Sequence, residues 1–151
     1  MRPSTIRLSL AVLLAGSTAA AAAAKPEDAI RYRQAAYTMI GWNFGPMGQM
    51  VKGKTPWNPG EFAQRADRVA ALAPQLLEGF PEGSQSGAKT GAKAAIWTDM
   101  DDFKAKMDDF VRQSQALAEV ARSGDEAKAK DQFGKTAQTC KGCHDKYRSK
   151  D

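Results

Sequence analysis

Histidine is almost missing from this chain of 151 residues: there is one, His144. No second imidazole is available within one chain for metal ligation or for acid–base work. Cysteine is nearly as scarce, with two residues, Cys140 and Cys143. A chain of this size buries a core without disulfide staples, so the pair is free for chemistry. No strand signal stands out along the chain. Charge of one sign is not gathered either. The 22 basic and 17 acidic residues leave a formal net charge of +5, and the lysines are spread among acids. That is a mixed, solvated surface and not a nucleic-acid footprint. The hydrophobic fraction of 42% and charged fraction of 26% are those of an ordinary globular domain.

What is present begins with an export signal. Arg2 and Arg7 form a positive start, Leu8, Leu10, Val12, Leu13 and Leu14 a short apolar core, and Ala19 to Ala24 a run of small residues suited to cleavage. Residues 1–24 therefore read as a signal peptide and 25–151 as the mature domain. The stretch from Leu8 to Ala24 is short for a membrane span and much of it is alanine, so no anchor is expected after cleavage. The style of the segment fits bacterial export to the periplasm.

Four stretches of helical period follow. The first runs from Pro26 to Met50, with Ile30, Ala36, Tyr37, Ile40, Phe44 and Met47 on its apolar face. Gly45–Pro46 should kink it or loosen its last turn. The second runs from Asn58, a candidate N-cap before Pro59, to Leu77, with Pro74 making its final turn suspect. Gly79 to Lys93 is a broken, polar connection. The third helix runs from Trp97 to Arg122. The fourth runs from Asp125 to Arg148, with Phe133 and Tyr147 among its apolar positions. The fold class this predicts is all-α, an antiparallel four-helix bundle.

Cys140–Lys141–Gly142–Cys143–His144 carries the chemistry. Cys-x-x-Cys-His is the attachment signature of a c-type haem. On a helix the spacings of three and four put both thiols and the imidazole on one face. The thiols can then form thioethers to the two vinyl groups while His144 reaches the iron. The expectation is one covalently attached haem c per chain, near the C-terminal end of the fourth helix. Three rival readings are weaker. A thioredoxin-like pair wants a βαβ setting and a helix start. A zinc site lacks further ligands. A disulfide across two residues of a helix is strained. Opposite His144, the methionine candidates after the initiator are Met39, Met47, Met50, Met100 and Met107, though methionines at helical spacing are more often core filler.

Only seven residues follow His144, so the motif closes the chain. With Lys25–Pro–Glu–Asp–Ala–Ile–Arg–Tyr–Arg–Gln near the mature start and Ile96–Trp97 opening the third helix, the chain resembles cytochrome c′, the class II c-type cytochromes. The resemblance implies haem attachment by Cys140 and Cys143 and axial ligation by His144. It implies Arg33 and Gln34 at the haem edge and propionates, and Arg148 on the proximal side. It places Tyr37 and Phe80 in the distal pocket, although Pro81–Glu82–Gly83–Ser84 departs from the segment expected after Phe80. In six-coordinate relatives the position of Tyr37 is similar to a ligating methionine. Met39 is turned about 200° around the helix from Tyr37 and should not reach the same point.

The expectation is a five-coordinate, high-spin iron that binds nitric oxide or carbon monoxide, passes single electrons, or does both. The alternative is a six-coordinate His/Met electron carrier. Peroxidase-type catalysis is not expected, because it needs a distal acid–base pair and the one histidine is committed. The resemblance also implies a homodimer packed through the first two helices, for which Met39, Trp42, Met50, Phe62 and Val69 are candidates. The residues name no redox partner.

Overall fold

The computed structural model describes residues 24–150. The export signal read at residues 1–24 lies outside the described residues, apart from Ala24. Within them run α1 (Pro26–Val51), α2 (Pro59–Leu72), the short α3 (Ala95–Thr98), α4 (Met100–Arg122) and α5 (Glu126–Tyr147). The four long helices form the bundle, and no described helix is long and apolar enough to cross a membrane.

α1 starts where its sequence says it should. Pro26 occupies the first turn, where its missing N–H costs nothing, and Glu27 and Asp28 follow at the positive end of the helix dipole. Ile30, Ala36, Ile40, Met47 and Met50 face inward at spacings of three to seven. Gly45–Pro46 does not interrupt the helix, contrary to expectation; α1 runs through it to Val51. The reason lies on α2. Pro46 cannot donate to the Trp42 carbonyl, and Arg65 Nη1 donates to it instead at 3.1 Å. Gly53, at φ 67°, then takes the left-handed conformation that turns the chain toward α2.

α2 is capped as read: Asn58 Oδ1 accepts from the Glu61 N–H at 3.0 Å. The α-helix ends at Leu72, five residues before the expected Leu77, and continues as a 3₁₀ segment over Ala73–Gly79. Pro74 has no N–H for the next α-helical bond, so the chain tightens instead of stopping. The third helix is likewise split. Its expected start, Trp97, lies in α3, and Asp99 (φ −136°) separates that turn from α4. Trp97 is held in place by donating from Nε1 to the Pro81 carbonyl at 2.9 Å. α5 begins at its cap, where Asp125 Oδ1 accepts from the Lys128 N–H at 3.0 Å.

The core has two parts. One is built on Met47, Met50, Phe62, Leu117 and Phe133, and the other on Ile40, Leu76, Phe80, Phe103, Met107 and Tyr147. Met50, Phe62 and Val69 are buried within this chain, so three of the five residues considered for a dimer face complete its own core. Met39 and Trp42 remain on the surface, 52% and 76% exposed.

Candidate functional site

The second core cluster is where the motif lies. Cys140 and Cys143 are half-buried against it from α5. His144 is exposed on the same helix, and its carbonyl accepts the Arg148 N–H at 3.1 Å, closing the last turn. A cleft of about 310 Å³, lined by His144, Asp145, Arg148, Ser149 and Lys150, opens on the imidazole side. Arg148 therefore lies beside His144. Partial burial of its ring against the protein, and then the Arg148 charge, hold the His144 pKa below its ordinary value. The neutral imidazole, the form that ligates a metal, is favoured.

The thiols are shifted the other way. Burial raises both, Cys143 up to about 11. A reactive redox pair needs a depressed thiol pKa, so this setting is the opposite of a thioredoxin-like one.

Across from α5 stands Tyr37. Its ring meets Phe80 edge-on, with centroids 6.4 Å apart and planes at 72°. Its hydroxyl points to the Met107 Sδ at 3.8 Å. Burial, followed by the nearby Cys143 and Cys140, raises the phenol well above its ordinary 10. Tyr37 is thus a neutral ring beside both thiols, with a thioether as its hydrogen-bond partner. Phe80 is itself buried, edge-on to Phe103 at 4.8 Å.

Arg33 and Gln34 are placed by the connection between helices. Arg33 is buried and donates to Gly79 O, Ser84 O, Ser84 Oγ and Thr90 Oγ1. Gln34 Nε2, at the surface, donates to Lys89 O at 2.9 Å. The structure thus joins Tyr37, Phe80, Cys140 and Cys143 in one group. It sets His144 and Arg148 together at the end of α5. Arg33 and Gln34 lie along the 79–90 segment, which carries Phe80, and residues 91–93 that follow it meet the end of α5.

Of the five methionines considered, Met39 is exposed, and Met47 and Met50 belong to the other core cluster. Met107 is buried against Tyr37, and Met100 packs at the edge of the same cluster. Further residues were not read from the sequence as part of this site. Tyr147, three after His144, donates to Asp102 Oδ2 at 2.6 Å, and Lys146 pairs with Asp99 and Asp102 at 2.7 and 2.9 Å. These contacts pin the motif's end of α5 to the start of α4. The apolar position of Tyr147 was legible; its hydroxyl partner, 45 residues away, was not.

The residues fit a covalently held haem. Two half-buried thiols and an imidazole lie on successive turns of one helix, beside an apolar wall. On that wall the Tyr37 phenol has only a thioether as its partner. α5 packs mainly along α4 and meets α1 through Phe133 stacked on Phe44 at 4.2 Å.

Comparison with known proteins identifies relatives of the whole described bundle. The family model described as cytochrome C' matches residues 28–148. The curated cytochrome c' of Halomonas halodenitrificans is 40% identical over 131 residues, covering 83% of this chain and 99% of the relative. Cytochrome c prime from Shewanella frigidimarina superposes with a TM-score of 0.80 at 49% identity, covering 83% and 97%. A nitric oxide complex of a variant of cytochrome c prime from Alcaligenes xylosoxidans superposes with a TM-score of 0.78 at 35% identity, covering 85% and 98%.

Proposed function

The chain belongs to the cytochrome c′ family, and from that premise we propose that it is a periplasmic c-type haem protein with an open sixth position. It takes nitric oxide or carbon monoxide there and carries single electrons; it is not an enzyme. Cys140 and Cys143 would hold the haem covalently and His144 would ligate its iron. When bound, the haem supplies one iron site for a diatomic gas and one electron of redox capacity.

The observation that carries the reading is Tyr37. It stands beside both thiols, where a low-spin relative would need a ligating side chain. Burial keeps its phenol protonated at neutral pH, and a protonated phenol is a poor iron ligand. Its O–H is turned to the Met107 thioether, its ring contact Phe80 carries neither charge nor donor, and the nearby Arg33 spends its N–H groups on Gly79, Ser84 and Thr90. A wall of this kind gives little help to a bound ligand that must accept hydrogen bonds, as O₂ does. It admits small neutral gases. On the other side, Arg148 favours the neutral His144, and the Tyr147–Asp102 bond holds the helix turn that presents it.

One observation favours a second reading. Met107 Sδ lies against the Tyr37 hydroxyl, so ligation by methionine would be carried by Met107. Ferric electron paramagnetic resonance separates the two. The open-site reading predicts a high-spin signal, unchanged by Met107→Leu. A low-spin signal converted to high-spin by that substitution would replace it with the second reading.

Pairing of two copies is part of the proposal. Tyr32, Met39 and Trp42 lie along one side of α1 and are its exposed large apolar residues. The exposed Trp42 in particular is a costly ring to leave in water, and a second α1 is a natural cover.

A further inference from the structure

Arg33 is 2% exposed, and its guanidinium is committed to backbone and hydroxyl oxygens instead of a carboxylate. Nη1 donates to Gly79 O and Ser84 O at 3.0 Å and to Ser84 Oγ at 3.2 Å; Nη2 donates to Ser84 O and Thr90 Oγ1 at 3.0 Å. The same group lies 5.0 Å from the Phe80 ring centroid and 5.5 Å from that of Trp97. A buried charge satisfied in this way holds the segment that carries its acceptors, because releasing them would strand the guanidinium.

A second observation is independent of those hydrogen bonds. The two backbones cross at Gly79. A Cβ there would stand 2.5 Å from Arg33 Cβ and 3.1 Å from Arg33 Cα. Only glycine allows this approach, and the atoms it would meet belong to the stiff base of the side chain and to the helix backbone itself. Phe80 follows Gly79 directly, and Tyr37 lies one turn beyond Arg33 on the same face of α1. The distance between the Phe80 and Tyr37 rings is therefore set where Gly79 meets Arg33.

We propose that the Arg33–Gly79 crossing is the spacer that fixes the width of the distal wall, so that Arg33 is a positioning residue limiting the sixth position to ligands of diatomic size. This rests on the open-site reading above. The crossing holds one end of the segment. Trp97 Nε1 on Pro81 O braces the same end, and the Lys93 N–H on Tyr147 O at 2.9 Å holds the chain just beyond the far end, so the crossing does not sit on a loose loop.

The test uses the ferrous holoprotein with two probes, carbon monoxide and ethyl isocyanide. Gly79→Ala pushes the segment off α1, and the ratio of isocyanide to carbon monoxide affinity should rise about tenfold. Arg33→Gln should do the same, and Arg33→Lys should restore part of the discrimination. If Arg33→Gln fails to fold, Ser84→Ala with Thr90→Val removes two hydroxyl partners and leaves the arginine in place. Its ratio should rise in the same direction, with faster hydrogen exchange through residues 79–90. A ratio unchanged in Gly79→Ala while exchange through 79–90 quickens overturns the proposal and leaves the open site standing. A wild-type protein that takes neither probe overturns the open site and the proposal together.

Discussion

Tyr37 is the residue on which most depends, and two substitutions separate its ring from its hydroxyl. The hydroxyl reaches only the Met107 thioether, at 3.8 Å. A net hydrogen bond is worth about 0.5–1.5 kcal/mol, and one to sulfur lies at the weak end. Deleting it strands no strong donor or acceptor. Tyr37→Phe should therefore change stability by less than about 1 kcal/mol. Tyr37→Ala removes a ring packed on Phe80 and leaves a cavity. Aromatic-to-alanine changes in cores cost about 3–5 kcal/mol, and a half-buried ring belongs near 3. Calorimetry of the holoproteins measures both. The pH dependence follows from the same burial. A phenol raised in the folded state contributes its full stability below pH 10. It loses that contribution as pH climbs above the unfolded value toward the folded one. The alkaline loss should be smaller in Tyr37→Phe. The ferric spectrum of Tyr37→Phe should match wild type from pH 6 to 9. A spectrum that changes on loss of the hydroxyl alone would mean that the phenol ligates, and the reasoning about a vacancy would fail.

Three other perturbations check separate links. Tyr147→Phe removes the largest cause of the lowered Asp102 pKa. That stabilisation is present above the ordinary carboxylate value and fades as pH falls through the depressed one, so urea titrations should show wild type and variant converging below about pH 4. Arg65→Ala uncovers the carbonyl that Pro46 leaves unbonded and should cost about 1 kcal/mol by chemical denaturation, because water can replace part of the bond. Trp42→Glu puts a charge in the exposed apolar strip of α1, and sedimentation should show a dimer in wild type and a monomer in the variant.

How much of this was legible in the sequence follows the range of the forces involved. The caps at Asn58 and Asp125 were visible because a cap is written within three residues. The motif face on α5 was visible because helix spacing alone sets it. The passage of α1 through Pro46 was not, since the donor that makes it tolerable is Arg65, on another helix. The tightening after Leu72 was foreshadowed by Pro74, whereas the break at Asp99 depends on how Trp97 docks, which no local pattern records. Arg33 shows the limit most clearly. The resemblance marked it as a contact of the haem edge, and its position one turn before Tyr37 was plain. Its oxygen partners lie 46 to 57 residues away, in a segment with no periodicity to place it. The core split the apolar residues considered for pairing between helices. Val69 and Trp42 look alike as letters, and only packing separates a buried one from an exposed one.

The most direct test of the central claim is a carbon monoxide titration of the ferrous wild-type protein, followed by absorption. The account predicts a high-spin starting spectrum that converts fully to a carbon monoxide complex with a single affinity per haem. A low-spin spectrum that does not respond to the gas would contradict it.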